Sequence, residues 1–333
     1  MVTVLAAVAA VPPSLEWRAG PSLPAPRDHH VTFIAGDFLY VAGGNTYANL
    51  LSDAWRARLL DDGALGDWEP AAPLPEPRAG HSVALTERTV VVTGGQRTNR
   101  ANTPGTLVAV IGPDGRLGPW TESVPLPAGR FHHSSVAHHG WIYVTGGLEP
   151  RTSVAAVHGA RLGADGAPTA WVDLTPLPSP RSHHASFVHD RALYVVAGLN
   201  GNPAGEHEPL RDVLRAPILA DGTLGAWAEV GRLAAAYGTH AAFARDGWLY
   251  VVGGVENNAT FVGTVQRAPI RAGGGLGFFE PATALPIGRG HVHQTPLWRD
   301  YVYSVGGSAS RRLVTAVHIG TFKSKEKAEQ TPD

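Results

Sequence analysis

The sequence predicts an all-β fold, a six-bladed β-propeller of four-stranded antiparallel blades, on three observations. A unit of about 52 residues recurs six times, anchored by Trp17, Trp68, Trp120, Trp171, Trp227 and, in the last copy, Phe279, and a period of this size marks a radial or stacked array. Each unit reads W-x5-L-P-x2-R-x2-H, then an apolar run ending Y-V-x-G-G, a looser strand, D-G-x-L-G and the next aromatic anchor. Helical periodicity is absent throughout, while 40 glycines and 27 prolines suit short strands joined by tight turns.

The elements follow in order along one unit. The first strand is expected to begin after the Arg and run through the His, as in 78–85. The second is apolar and rich in aromatic and β-branched residues (38–41, 141–144, 248–252), which pack well on a pleated surface. It ends in Gly-Gly in five units, with Ala197 before Gly198 in the fourth. Glycine there signals positive φ or a close neighbour. The third strand alternates, as in 265–270, and leads to Asp-Gly at 62–63, 114–115, 165–166 and 221–222, with Gly274-Gly275 in the fifth unit. Asp-Gly supplies the two positive-φ residues of a type I′ hairpin turn. The fourth strand carries the Trp, whose ring fills the wedge between neighbouring sheets.

The last unit runs out after its third strand, at 313–322, while the segment at Trp17 precedes any first strand. The N-terminal strand is therefore expected to complete the last blade and remove the exposed edges. The domain expectation is one propeller over 1–322, with blades at about 27–71, 78–123, 130–175, 181–231, 238–284 and 289–322 plus 14–19. The apolar start, 2–10, resembles a third strand (107–111, 213–219) and is expected to belong to the fold; it lacks the basic residues of a signal peptide. The polar tail 323–333 is expected to be disordered.

Composition narrows the function. With 27 Lys and Arg against 28 Asp and Glu, net charge is −1 and neither sign clusters, so no basic face points to nucleic acid. No segment reaches the ~20 apolar residues of a membrane helix. The chain has no cysteine, which excludes disulfides, thiol nucleophiles and thiolate metal sites. The expectation is a cytoplasmic monomer with neither nucleic-acid nor membrane partners.

The Gly-Gly after an apolar-aromatic strand, the later Trp and the Arg before the inner strand resemble the kelch repeat, over residues 14–322 and in six copies. The resemblance implies the fold more than a function, because kelch propellers include binding scaffolds, carbohydrate-acting enzymes and metal enzymes. The family's copper oxidases use a Tyr–Cys crosslink, which this chain cannot form. Its plant specifier proteins carry iron on E-x3-D-x3-H; Glu208 and Asp212 have that spacing, but Ala216 stands in place of the His. A six-bladed bacterial kelch protein is a sialic acid mutarotase; the blade number agrees, and no motif here carries the activity over.

Candidate site residues fall into three sets. One histidine recurs three residues after the Arg: His30, His81, His133, His184, His240 and, with a one-residue insertion, His293. A residue in every blade most simply packs between sheets, with a ring of metal ligands as the alternative; the repeated Arg27, Arg78, Arg130, Arg181 and Arg289 are read as structural. A second histidine occurs irregularly, at His29, His132, His183 and His291. Because neighbours along a strand point to opposite faces, these four form a separate set, and three or four converging imidazoles suit Zn, Fe or Cu. No acidic residue repeats beside them. The third set lies in loops at the same mouth: Asn45, Tyr47, Arg97, Arg151, Asn257, and Glu206, His207 and Glu208 in a long loop over 199–212. Asn, Tyr and Arg at a funnel suit a sugar or a carboxylated small molecule.

These sets lead to a propeller that binds a small polar ligand or a partner protein at its mouth. One alternative is a metal-dependent isomerase, lyase or oxygenase with one transition metal on the irregular histidines. Another is a metal-free sugar isomerase or mutarotase using Arg, Glu and His.

Overall fold

The computed structural model describes residues 12–98, 100–310 and 312–323; the expectations for 2–10 and for the tail beyond Lys323 lie outside them. Six four-stranded antiparallel sheets occur among the described residues. The first comprises Val31–Ala35, Phe38–Ala42, Ala54–Leu59 and Leu65–Ala71, in that spatial order. The next four sheets repeat the meander, with innermost strands Ser82–Leu85, Ser134–His138, Ala185–His189 and Ala241–Arg245. In the sixth, Leu297–Trp298, Tyr301–Val305 and Val317–Lys323 are followed by Ser14–Ala19 from the other end of the chain. Trp17 there lies opposite Gly320 and Ser14 opposite Lys323, so Lys323 ends a strand. Among the described residues, no helix is long and apolar enough to cross a membrane.

The repeated residues sew one sheet to the next. The indole N–H of Trp68, Trp120, Trp171 and Trp227 donates to Pro21, Ala72, Val124 and Thr175 carbonyls at 2.9–3.1 Å, each just beyond the outer strand of the preceding sheet. Trp17 does the same to Thr283 at 2.9 Å, while Phe279 has no donor. From the second strands, Tyr40, Tyr143, Tyr194 and Tyr303 hydroxyls donate to Gly115, Gly222, Gly274 and Gly63 carbonyls in the hairpin turn of the adjoining sheet, at 2.8–3.0 Å. Thr89 substitutes in the second sheet, on Gly166 at 2.8 Å.

Beneath this seam lies the repeated arginine. Arg27, Arg78, Arg130, Arg181 and Arg289 are at most 1% exposed. Each donates to the carbonyl at the head of the Gly-Gly step, 3.1–3.2 Å away, where the fourth sheet offers Ala197. Arg27 and Arg181 add two-pronged pairs with Asp53 and Asp212. A buried cation is tolerated only with such pairing. Arg289 instead meets His318, and burial lowers its pKa to about 10.

Two expectations are corrected here. The inner strands begin after the histidines, at Val31, Ser82, Ser134, Ala185 and Ala241. The residues before them turn through positive φ and cannot continue a strand. And 199–212 is no loop: Ala192–Gly201 and His207–Pro217 extend as a long hairpin, with Asn200 opposite Glu208 and Gly201 opposite His207. Only 202–206 turns, where Gly205 takes φ 85° and Asn202 caps the tip by accepting from the Glu206 N–H at 3.1 Å.

Candidate functional site

The six positions just before the inner strands share one unusual backbone. His29, His132, His183 and His291 have φ of 54–57°, as do Thr239 at 59° and Gly80 at 62°. Glycine is the residue this left-handed region favours, and only the second unit uses it. Five of the six are strung together: the N–H of Gly80 bonds the His29 carbonyl, His132 that of Gly80, His183 that of His132 and Thr239 that of His183, at 2.8–2.9 Å. The turn brings the four histidines around one axis.

The rings close up accordingly. Centroids lie 4.0 Å apart for His291 and His29, 4.8 Å for His29 and His132, 3.9 Å for His132 and His183, and 6.5 Å for His183 and His291. The wide gap is the Thr239 side. A fifth ring, His293, stands 5.7–6.5 Å from each of the four. This corrects its sequence-based place in the repeated set. In the other sheets the second Gly of the pair abuts the repeated His; at Gly307 the abutting side chain is Val292. The insertion falls after that position, so Val292 packs between sheets and His293 joins the axis.

The repeated histidines sit elsewhere. His30 bonds the Val305 carbonyl at 3.1 Å, and His133 and His184 bond the Thr93 and Thr145 hydroxyls at 2.9 and 2.8 Å, each on the preceding sheet. Burial pushes His30 and His133 down to about 3 and His240 to about 4, with the adjacent Arg27 and Arg130 adding to the first two. His81 and His184 are likewise lowered by burial and by Arg78 and Arg181. These are neutral packing rings.

On the axis, the residue before the histidine holds the ring in two sheets. Asp28 Oδ1 accepts from His29 Nδ1–H at 2.7 Å and from Asn45 Nδ2 at 2.6 Å, and Oδ2 accepts from Ser308 Oγ. Burial alone would raise the Asp28 pKa; the His29 bond and charge, His291 and Ser308 outweigh it and hold the group well below the carboxylate range. Ser182 Oγ donates to the Leu199 carbonyl at 3.2 Å and accepts from His183 Nδ1 at 2.9 Å. Sequence reading missed both, because neither repeats: the equivalents are Ala79, Phe131, Gly238 and Gly290. The R-D-H-H string was the available signal for Asp28. Burial, then neighbouring imidazoles, keep His132 and His183 well below the usual histidine range, and burial and His29 do so for His291. His293 is lowered to about 3.

Beside the rings opens a cleft of about 750 Å³ lined by His29, His132, Asn45, Tyr47, Asn49, Gln96, Arg97, Arg100 and Arg151, among others. It gathers four of the loop candidates, Asn45, Tyr47, Arg97 and Arg151, with two of the irregular histidines. The others stay out. Glu208 and Asn257 line a separate groove with Arg211 and Arg232, and Glu206 accepts from Asn202 Nδ2 at the hairpin tip. His207 comes within 6.1 Å of the His183 ring. Asp212, of the E-x3-D pair, is taken by Arg181.

Repeated four-stranded antiparallel meanders, stitched side by side around a histidine-lined axis, define a propeller-type repeat protein. No family model matches the chain. Kelch-like protein 36 of Bos taurus is 24% identical over 255 residues, covering 76% of this chain and 40% of that protein. Kelch-like protein 33 of Homo sapiens is 31% identical over 139 residues, 40% of this chain and 24% of that one. The chain thus spans less than half the length of these curated relatives. A solved structure, "Structure of YjhT", superposes with a TM-score of 0.69 over 90% of this chain and 95% of that one, at 15% identity; this likeness concerns the fold. The chain is thus similar to kelch-like proteins over the residues aligned.

Proposed function

We propose that this protein is a six-bladed kelch propeller, its ring completed by Ser14–Ala19, that binds a small carboxylated polar molecule in the cleft beside the axial histidines. The observation that supports this is the lining of the cleft: Arg97, Arg100 and Arg151 around neutral Asn45, Asn49 and Gln96, with no Asp or Glu among its walls. Guanidinium groups pair carboxylates in a two-pronged fashion, and amides complement hydroxyls. Arg97 is half engaged by Glu76 at 2.8 Å, while Arg100 and Arg151 form no ion pair among the described residues.

The test is thermal shift and calorimetry with a panel of neutral sugars and their uronic acids. The expected outcome is stabilisation by the acids alone, with affinity reduced at least ~10-fold in an Arg100→Ala/Arg151→Ala variant. Indifference of the protein to carboxylates, or an undiminished affinity in the variant, overturns the reading. A second reading, an acidic peptide of a partner protein, draws support from Tyr47, 68% exposed at the lip. It requires that a peptide bind with Tyr47 at the contact and uronic acids not.

A further inference from the structure

We propose that the axial histidines form a binding site for one divalent transition-metal ion, held by His29, His132, His183 and His291, with His293 beneath them and with Asp28 and Ser182 as positioning residues. The inference stands apart from the anion cleft, which shares only two walls with it.

Geometry comes first. An imidazole bound through one nitrogen at about 2.0–2.1 Å has its centroid about 3 Å from the metal, so adjacent rings on one ion stand about 4.4–5.1 Å apart. Of the three close spacings along the arc, 4.8 Å falls within that range, and 4.0 and 3.9 Å lie about half an ångström below it. Donor atoms of Asp28, His29 and His291 lie within 4.8 Å of one another.

The free nitrogens come second. Asp28 and Ser182 occupy Nδ1 of His29 and His183, which fixes the tautomer and leaves Nε2 as a bare lone pair. A carboxylate or hydroxyl behind an imidazole is the usual support of a metal ligand. Nδ1 of His132 and of His291, and Nε2 of His293, are buried without a hydrogen-bond partner. Orphaned ring nitrogens occur on the seam histidines too, as at His81 and His240, but at the axis three of them gather at one centre, where a single cation could satisfy them.

The backbone supplies a third argument. Left-handed φ is unfavourable for non-glycine residues, and Gly80 shows that this position accepts glycine. Histidine in four of six units therefore answers a requirement other than the chain's. Gly80 itself leaves room: a Cβ there would stand 3.1 Å from His132 Nδ1. An all-imidazole set without thiolate suits Zn²⁺, Cu²⁺, Ni²⁺ or Fe²⁺.

The experiment titrates metal-stripped, tag-free protein with Co²⁺, read by its visible d–d absorption, and with Zn²⁺ in competition. The expected result is one ion per chain. A His29→Gly/His291→Gly variant, which keeps a backbone-compatible residue at both sites, should lose binding while its melting curve stays cooperative. Asp28→Asn should weaken Co²⁺ by about 10–100-fold and change the shape of its spectrum, since it acts through His29. His138→Ala/His139→Ala, in a turn between the first and second strands of the third sheet, should bind as the parent does. Binding well below one equivalent, full binding by the double glycine variant, or loss in the His138/His139 variant would overturn the site.

Discussion

His183 and His184 are chain neighbours with opposite circumstances. His184 recurs in kind in five units, takes an ordinary backbone, and bonds Thr145 on the preceding sheet at 2.8 Å. His183 belongs to an irregular set, takes φ 55°, and meets another imidazole at 3.9 Å. The first layer solves a problem that every sheet has, namely how to fill and satisfy the seam with its neighbour. The second layer accepts backbone strain and crowded like groups, which packing alone does not reward. Recurrence on an ordinary backbone marks architecture; irregularity with left-handed strain and converging rings marks a site.

The comparison can be pressed hardest at the seam. Asp212→Ala leaves the Arg181 cation buried without its carboxylate, and stability by denaturant unfolding should fall by about 3–5 kcal/mol. His184→Ala opens a void and abandons the Thr145 hydroxyl, for an expected loss of about 2–4 kcal/mol. A loss below ~1 kcal/mol in either would remove the distinction between the layers.

Acid should act on the seam as well. His30, His133 and His240 have folded pKa values of about 3, 3 and 4, against the model-compound value of 6.5. The unfolded chain therefore binds more protons between those limits. Their contribution is complete above pH 6.5 and is lost as pH falls toward 4 and then 3, each steepening the decline by up to about 1.4 kcal/mol per pH unit. His240→Gln should flatten the upper part of that slope. The smallest effect belongs to the axis: His183→Gly relieves a left-handed non-glycine residue, and metal-free stability should stay within about 1 kcal/mol of the parent or rise. A fall as large as that of His184→Ala would make the two layers equivalent.

Much of the architecture was legible because it is local and repeated. Asp-Gly turns, Gly-Gly steps and one aromatic anchor per unit are short-range signals, and six copies average out their exceptions. The site was legible only in part. That His29, His132, His183 and His291 share a place followed from their spacing, but strand alternation was the wrong reason, since a left-handed turn aims them. The insertion at 291–293 can be absorbed on either side of Val292, and only packing against Gly307 decides which residue faces the axis. Asp28 and Ser182 matter through contacts with residues far along the chain, Ser308 and Leu199, which a repeat pattern does not display. The 199–212 segment has loop-like composition and forms a hairpin because its two arms pair with each other.

Phe279 carries one last implication. Four of the seams between neighbouring sheets have both an indole and a hydroxyl stitch. On one flank of the fifth sheet Phe279 cannot donate, leaving Tyr194. On the other the sixth sheet has no hairpin turn to receive a hydroxyl, because its outer strands come from opposite ends of the chain, leaving Trp17. In indole and hydroxyl stitches the fifth sheet is the most thinly sewn, with Arg245–Asp300 and Arg267–Pro13 contacts adding to Trp17 on its sixth-sheet flank. Amide exchange should find it opening ahead of the others, and a Phe279→Trp variant should slow that opening by restoring the missing clasp.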